Sequence, residues 1–286
     1  MIPAAFEYVR AASLDEAVRL LGERDDSKLL AGGHSLIPMM KLRLATPARL
    51  VDIARLPGLA GIRIEGGRVE VGALTTHAAI AASDEVRRQA PALWDAACRL
   101  GDPQVRNRGT IGGACAHADP SADYPAVLLA LDASFTVRGK GGDREIAARD
   151  FFRGIFETAL RSDEILTAIA FTPAPRSAYA KYHHPASHYA VVGAAAALEL
   201  DGATIRRARV AIAGLGDGAL RAGGVEHALS GLGADDAAAI EAACARAGDG
   251  VEARSDAFAS GAYRRAMAGV YAARAVLRAA SIATES

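Results

Sequence analysis

Cysteine is scarce in this chain of 286 residues. There are three, Cys98, Cys115 and Cys244, far apart and never in a CxxC pair. That spacing excludes an iron–sulfur cluster or a zinc site built from this chain alone. Free buried thiols in a reducing cytoplasm are the expected state. No apolar run reaches about 18 residues, so no membrane-spanning helix is expected. Residues 1–13 carry Glu7 and lack an apolar stretch of the kind a signal peptide needs. Net charge is absent too: 33 Lys and Arg face 33 Asp and Glu. A balanced chain has no electrostatic footprint for nucleic acid or an anionic membrane. Neither a GxSxG elbow nor a GxxxxGK[ST] phosphate loop occurs, which removes two common hydrolytic chemistries.

What is present is apolar material, 51% of the residues. The length suits two or three subdomains. Strands are expected at 6–9, 28–31 and 49–53, with a capping box at Ser13–Glu16 opening a helix to Leu21 and a short helix capped by Ser35. This first unit, 1–57, reads as a small βαβ layer. A hairpin follows at 63–71 around Gly66-Gly67. Helices are expected from Thr75 or Thr76 to Ala82, from Val86 to Leu100, and from Asp123 to Leu131. A second hairpin turns at Gly141-Gly142, and a strand at 164–171 ends at Pro173 and Pro175. Those prolines mark a boundary. Beyond it, 178–182, 191–200 and 205–213 read as an antiparallel meander, and three helical patterns follow near 224–231, 235–247 and 261–280. The last six residues are expected to be loose.

Two glycine-rich segments carry chemistry. The first runs Ala31-Gly32-Gly33-His34-Ser35 and the second Thr110-Ile111-Gly112-Gly113-Ala114. Successive N–H groups without a Cβ in the way form anion-binding nests. One such segment is also what a plain strand-to-helix turn looks like. Two, each in a longer context, suggest one pyrophosphate held from both sides. Three histidines, His183, His184 and His188, form a cluster; on a strand 184 and 188 would share a face, with 183 opposite. No cysteine or carboxylate nearby completes a metal set, so no metal is expected. Gly214–Ala219 fits the loose GxGxxA nucleotide fingerprint, but it follows an antiparallel meander, and a loop is the better reading. Asp119 and Asp123 read as one turn aspartate and one ligand-binding aspartate, not as a hydrolytic pair.

Taken with their surroundings, these segments resemble a known family. AGGHSLIPMMKLRL at 31–44, RNRGTIGGACAHADPSADYPAVLLALDA at 106–133 and KYHHPASHYAVVGAA at 181–195, with a weaker segment at Ser260–Arg265, are similar to the FAD-binding medium subunit of molybdenum hydroxylases of the carbon monoxide and xanthine dehydrogenase type. The resemblance implies an α+β fold: a two-subdomain FAD-binding domain of the p-cresol methylhydroxylase type, 1–57 and 58–174, then a smaller α+β domain, 175–286. It implies that Ala31, Gly32, Gly33, His34 and Ser35, with Thr110, Ile111, Gly112, Gly113 and Ala114, cradle the FAD pyrophosphate through backbone N–H groups. Asp123 would hydrogen-bond the cofactor, Leu166 and Lys181 would line the flavin, and Tyr189 would lie near the isoalloxazine face. The partners implied are a small iron–sulfur subunit and a large molybdopterin subunit, in a dimer of heterotrimers. The chain departs from the family pattern at Ala114, where asparagine is usual, at His188, where an acid is common, and at His183 and His184, where arginine or lysine is common. Two other classes stay open: a self-sufficient FAD oxidoreductase with its own substrate pocket, and an interaction protein that no longer holds FAD.

Overall fold

The computed structural model describes residues 1–283. The chain opens with strand β1 (Glu7–Arg10), helix α1 (Leu14–Leu21), β2 (Ser27–Leu30), α2 (Leu36–Lys41) and β3 (Arg49–Asp52). These strands form a parallel sheet ordered β1-β3-β2. Ser13 caps α1 by accepting from the Glu16 amide, while the Glu16 carboxylate reaches the Ala12 amide, one residue short of a closed capping box. Ser35 makes no such cap; it sits in the right-handed region, where its hydroxyl does not point at the helix amides.

The second unit contains β4 (Ile62–Glu65), β5 (Arg68–Gly72), α3 (His77–Ala81), α4 (Asp84–Gln89), α5 (Pro91–Arg99), α6 (Pro103–Arg108), α7 (Ile111–His117), α8 (Asp123–Ala130), β6 (Ser134–Gly139), β7 (Gly142–Ala147), α9 (Ala148–Phe151), β8 (Phe152–Gly154), β9 (Glu157–Thr158) and β10 (Ile165–Phe171). Its main sheet is antiparallel, ordered β4-β5-β10-β6-β7. Gly66 and Gly67 both take positive φ, as a two-residue hairpin turn requires. The single helix expected from Val86 to Leu100 is two. Pro91 has no amide to continue α4 and starts α5 from a position where none is needed.

The third unit holds β11 (Ser177–His183), β12 (Ala190–Asp201), β13 (Thr204–Ala213), β14 (Leu220–Arg221), α10 (Gly223–Leu229), α11 (Ala237–Cys244) and α12 (Gly261–Ser281). The sheet β11-β12-β13-β14 is antiparallel, with one strand more than the meander read from the sequence. One face, with Ala178, Val192 and Ala194, packs on α10–α12. The other, with Tyr179 and Ala195, joins the core of the second unit. The small residues along β12 let layers approach closely on both sides. Of the tail expected to be loose, Ser281 ends α12, and residues 284–286 lie outside the described residues. Among the described residues no helix is long and apolar enough to cross a membrane.

One ion-pair cluster makes the fold acid-sensitive. Glu164, buried just before β10, accepts from Arg144 at 2.6 and 2.8 Å and from the side chain and amide of Arg161. Arg144 first, then Arg161, hold its carboxyl down at about 2, against burial. A carboxyl lowered on folding stabilises above its unfolded value and loses that contribution as pH falls toward its folded value. Between about pH 4.5 and 2 the chain is therefore expected to lose about 1–2 kcal/mol from this residue, allowing for solvent around the arginines. Thermal melts across that range should show a decline that Glu164→Gln lacks; equal slopes would remove Glu164 from the acid response.

Candidate functional site

The two glycine segments meet. A Cβ on Gly32 would collide with the Arg108 carbonyl and come within 2.9 Å of Gly109 Cα, so only glycine allows this backbone-on-backbone contact. Beyond it the first loop turns at Gly33, where φ is +77°. Among the described residues, the amides of Gly32, Gly33, His34 and Ser35 meet no protein acceptor. The loop is thus a row of free donors on a rigid strand end. Ala31 packs at the edge of the first core.

The second segment is different from the expectation. Thr110 to Ala114 is the cap and first turn of α7, and the amides from Ile111 to Ala114 are spent inside the protein. Ile111 donates to Thr75 O at 3.0 Å, Gly112 to Ala73 O at 2.8 Å, Gly113 to Thr110 Oγ1 at 3.1 Å and Ala114 to Thr110 O at 3.0 Å. The expected cradle of N–H groups from both segments is corrected for residues 111–114: in the second segment only the Thr110 amide, like those of the first, meets no protein acceptor among the described residues. The second supplies shape. A Cβ on Gly112 would lie 2.5 Å from Ala73 Cβ, while Gly113 is open to solvent. Ala114 is half-buried against the core.

Behind the junction lies His77, which sequence reasoning missed. It is buried, its amide donates to Gly109 O at 3.0 Å, and its Nδ1 lies 3.1 Å from the Tyr124 hydroxyl. Burial first, then the neighbouring His34 and Arg106, push its pKa down to about 4. The ring is therefore neutral at pH 7 and braces Gly109 from below. Its signal in the sequence was a histidine directly after a capping threonine at the head of an alanine-rich helix.

Asp123 and Lys181 face each other instead of an open cleft. Lys181 Nζ donates to Asp123 at 2.9 Å and to Arg99 O at 3.1 Å, and the Tyr179 hydroxyl donates to the other Asp123 oxygen. Both side chains are enclosed, at 1% and 2% exposure. Burial raises the Asp123 carboxyl, and Lys181 and Tyr179 pull it back. Each Asp123 oxygen accepts one protein donor, and the enclosed carboxylate faces Lys181 and Tyr179. Leu166 is enclosed in the core of the second unit, one residue before Thr167, whose carbonyl holds the Ala73 amide. Asp119 accepts from the Ser121 amide at 2.8 Å, the turn aspartate that was expected.

Tyr189 reaches the site from the third unit. Its phenol lies near the Ser35 side chain, and its pKa is raised by partial burial and by the carboxylates of Asp119 and Asp123. The β11–β12 turn that carries it ends the strand at His183, so strand alternation no longer applies to the histidines. His183 and His188 stack at 5.8 Å, while His184 accepts from the Ala186 and Ser187 amides and lies 4.4 Å from the Phe258 ring. Among the described residues no group of three metal-ligating side chains occurs. The glycine-rich stretch after β13 is a loop, and the Gly214 amide ties it to Pro120 O at 2.9 Å. A second feature missed in the sequence is the β8–β9 turn. There Ile155 and Phe156 stand exposed, and Phe156 lies 4.9 Å from the His117 ring at the far end of α7.

A free-amide loop, a glycine-fitted helix start and an aromatic ring bridging two units fit an elongated diphosphate ligand with a planar ring. Comparisons with known proteins agree. The model of the FAD binding domain in molybdopterin dehydrogenase matches residues 4–174, and that of the CO dehydrogenase flavoprotein C-terminal domain matches residues 177–279. The carbon monoxide dehydrogenase medium chain of Hydrogenophaga pseudoflava is 41% identical over 280 residues, covering 96% of this chain and 97% of that one. The glyceraldehyde dehydrogenase medium chain of Sulfolobus acidocaldarius is 40% identical over 233 residues, 81% and 83% of the two chains. Among solved structures, carbon monoxide dehydrogenase from Hydrogenophaga pseudoflava superposes with a TM-score of 0.95 over 99% of this chain and 100% of that one, at 41% identity. Quinoline 2-oxidoreductase from Pseudomonas putida 86 gives 0.93 over 98% of each, at 32% identity. The α+β architecture, the free-amide loop and these likenesses converge: the chain belongs to the FAD-binding medium subunits of the molybdenum hydroxylases, a family of oxidoreductases.

Proposed function

We propose that this chain relays electrons, through FAD, from the iron–sulfur clusters of a small partner subunit to an external acceptor. Substrate hydroxylation then belongs to a molybdenum centre on a large partner subunit, in a cytoplasmic dimer of heterotrimers. The observation that carries the reading is the row of free amides at residues 32–35, set beside the Gly112-fitted start of α7. Backbone donors of that kind bind a diphosphate without needing a charged side chain. The three scattered cysteines support delegating the clusters to another chain.

When bound, FAD supplies a carrier that exchanges electrons singly or in pairs. The protein positions it. Gly32, Gly33, His34 and Ser35 donate to the diphosphate, and Thr110, Ile111, Gly112, Gly113 and Ala114 shape the opposite wall. Tyr189, close to Ser35, would offer its ring face to the planar end and exclude water there. Asp123 and Lys181 act from below as a fixed, mutually neutralised pair, and Leu166 supports the strand behind α7. The test is direct. The FAD-loaded chain is mixed anaerobically with its iron–sulfur subunit, previously reduced by dithionite and desalted. Bleaching of the flavin band in proportion to the reduced clusters is the expected result, and an unbleached flavin overturns the reading. Reduction of the lone chain by a small organic substrate would instead favour a self-sufficient oxidoreductase.

A further inference from the structure

The outer face of α12 and the free edge of β11 form a surface that the electron-carrier reading does not use. Helix α12 holds four arginines, Arg264, Arg265, Arg274 and Arg278, and no carboxylate. Arg264 is buried against Asp256, and Arg278 binds Asp95 at 2.8 Å. Arg274 lies 4.7 Å over the Tyr271 ring and, like Arg99 across the gap, has no carboxylate partner among the described residues. Between them is a notch of about 360 Å³, lined also by Lys181, Leu277 and Arg278.

The notch lies where the sheet edge is open. Arg176 O accepts from the Leu198 amide, so even-numbered residues of β11 bond to β12 and odd-numbered ones turn their backbone groups outward. At Tyr179 those groups are met by Asp95 at 3.4 Å and Arg278 at 2.9 Å. At Lys181 they point to the notch with no protein partner among the described residues. Beside it runs a row of rings: Tyr182 lies 6.1 Å from both Tyr263 and Tyr271 and 6.3 Å from Phe258. Phe258, Tyr263 and the adjoining Val270 are each about 40% exposed. Tyrosine and arginine around a pocket are the composition that dominates binding energy at protein interfaces.

We infer that this face docks an acidic surface of the electron-donating iron–sulfur subunit, with a carboxylate of that subunit seated between Arg99 and Arg274. A second copy of this chain is excluded as the occupant, because two such cationic faces repel. The position supports the choice, since Lys181, whose backbone faces the notch, carries the side chain that pairs with Asp123 beneath the proposed flavin site, so a protein docked here lies close to the cofactor. The inference rests on the proposed function. To test it, the chain carrying Arg99→Glu and Arg274→Glu is co-produced with its partner subunits and purified by a tag on this chain. The iron-to-flavin ratio is expected to fall at least tenfold while FAD content per chain is unchanged. Tyr271→Ala should lower the ratio several-fold, and Arg63→Glu, exposed on β4 in the second unit, should leave it intact. A double variant that keeps the wild-type ratio overturns the docking face alone. A wild-type chain that purifies without iron overturns the proposed function, and this inference with it.

Discussion

Gly32→Ala is expected to yield a folded, colourless protein. The added Cβ has nowhere to go: the Arg108 carbonyl and Gly109 Cα occupy its place, and neither is the end of a flexible side chain. Overpacking of this kind costs about 1–3 kcal/mol, which a chain of this size survives. The loop gives way instead, moving the free amides of residues 32–35 off α7. A diphosphate site displaced by even about 1 Å loses its aligned donors, and binding should drop below detection in purified protein. The measurement is the ratio of flavin to protein absorbance, read beside far-ultraviolet circular dichroism. Gly223→Ala is the control, because a Cβ there meets nothing within 4 Å. A Gly32→Ala protein with full flavin content would show that the contact between the two segments does not form the site.

Lys181→Met should be the most destabilising single change in the third unit. It leaves the Asp123 carboxylate buried with Tyr179 as its remaining donor. Breaking one side of a buried pair costs about 3–5 kcal/mol, because the remaining charge keeps its desolvation penalty. That corresponds to a fall in Tm of about 10 °C. Adding Asp123→Asn removes the stranded charge and should recover most of the loss, since replacing both partners is often close to neutral. A melt of the two variants beside the wild type decides it. If Lys181→Met melts with the wild type, or the double variant melts no higher than the single one, the pair is not what stabilises this junction.

Much of the fold was legible because its signals are local. The Gly66-Gly67 hairpin and the Ser13 cap each depend on a few adjacent residues, and each is found where the pattern places it. The family was legible from residues 31–44 and 106–133, whose glycines are placed by contacts only glycine permits. What stayed hidden depends on partners distant in sequence. The TIGG segment looks the same whether its amides are free or spent, and Thr75 and Ala73 decide the matter from the preceding turn. Asp123 and Lys181 were both named as ligands because nothing in the sequence says they bond each other. His77 was passed over because its partners, Gly109 and Tyr124, lie far along the chain. The α4–α5 break was visible at Pro91 and was overridden by an apolar pattern that continues through it.

The contact between Ser35 and Tyr189 sets an order of events during synthesis. One side of the proposed flavin site is made within the first sixth of the chain, and the ring proposed to close it arrives only after about two-thirds has been translated. Contacts so distant in sequence form late, because long loops must close before they repay their entropy. A nascent chain paused at the proline boundary would therefore expose the amide row without its cover. With the site as proposed, cofactor loading follows the synthesis of the third unit, and flavin is needed once that unit has emerged.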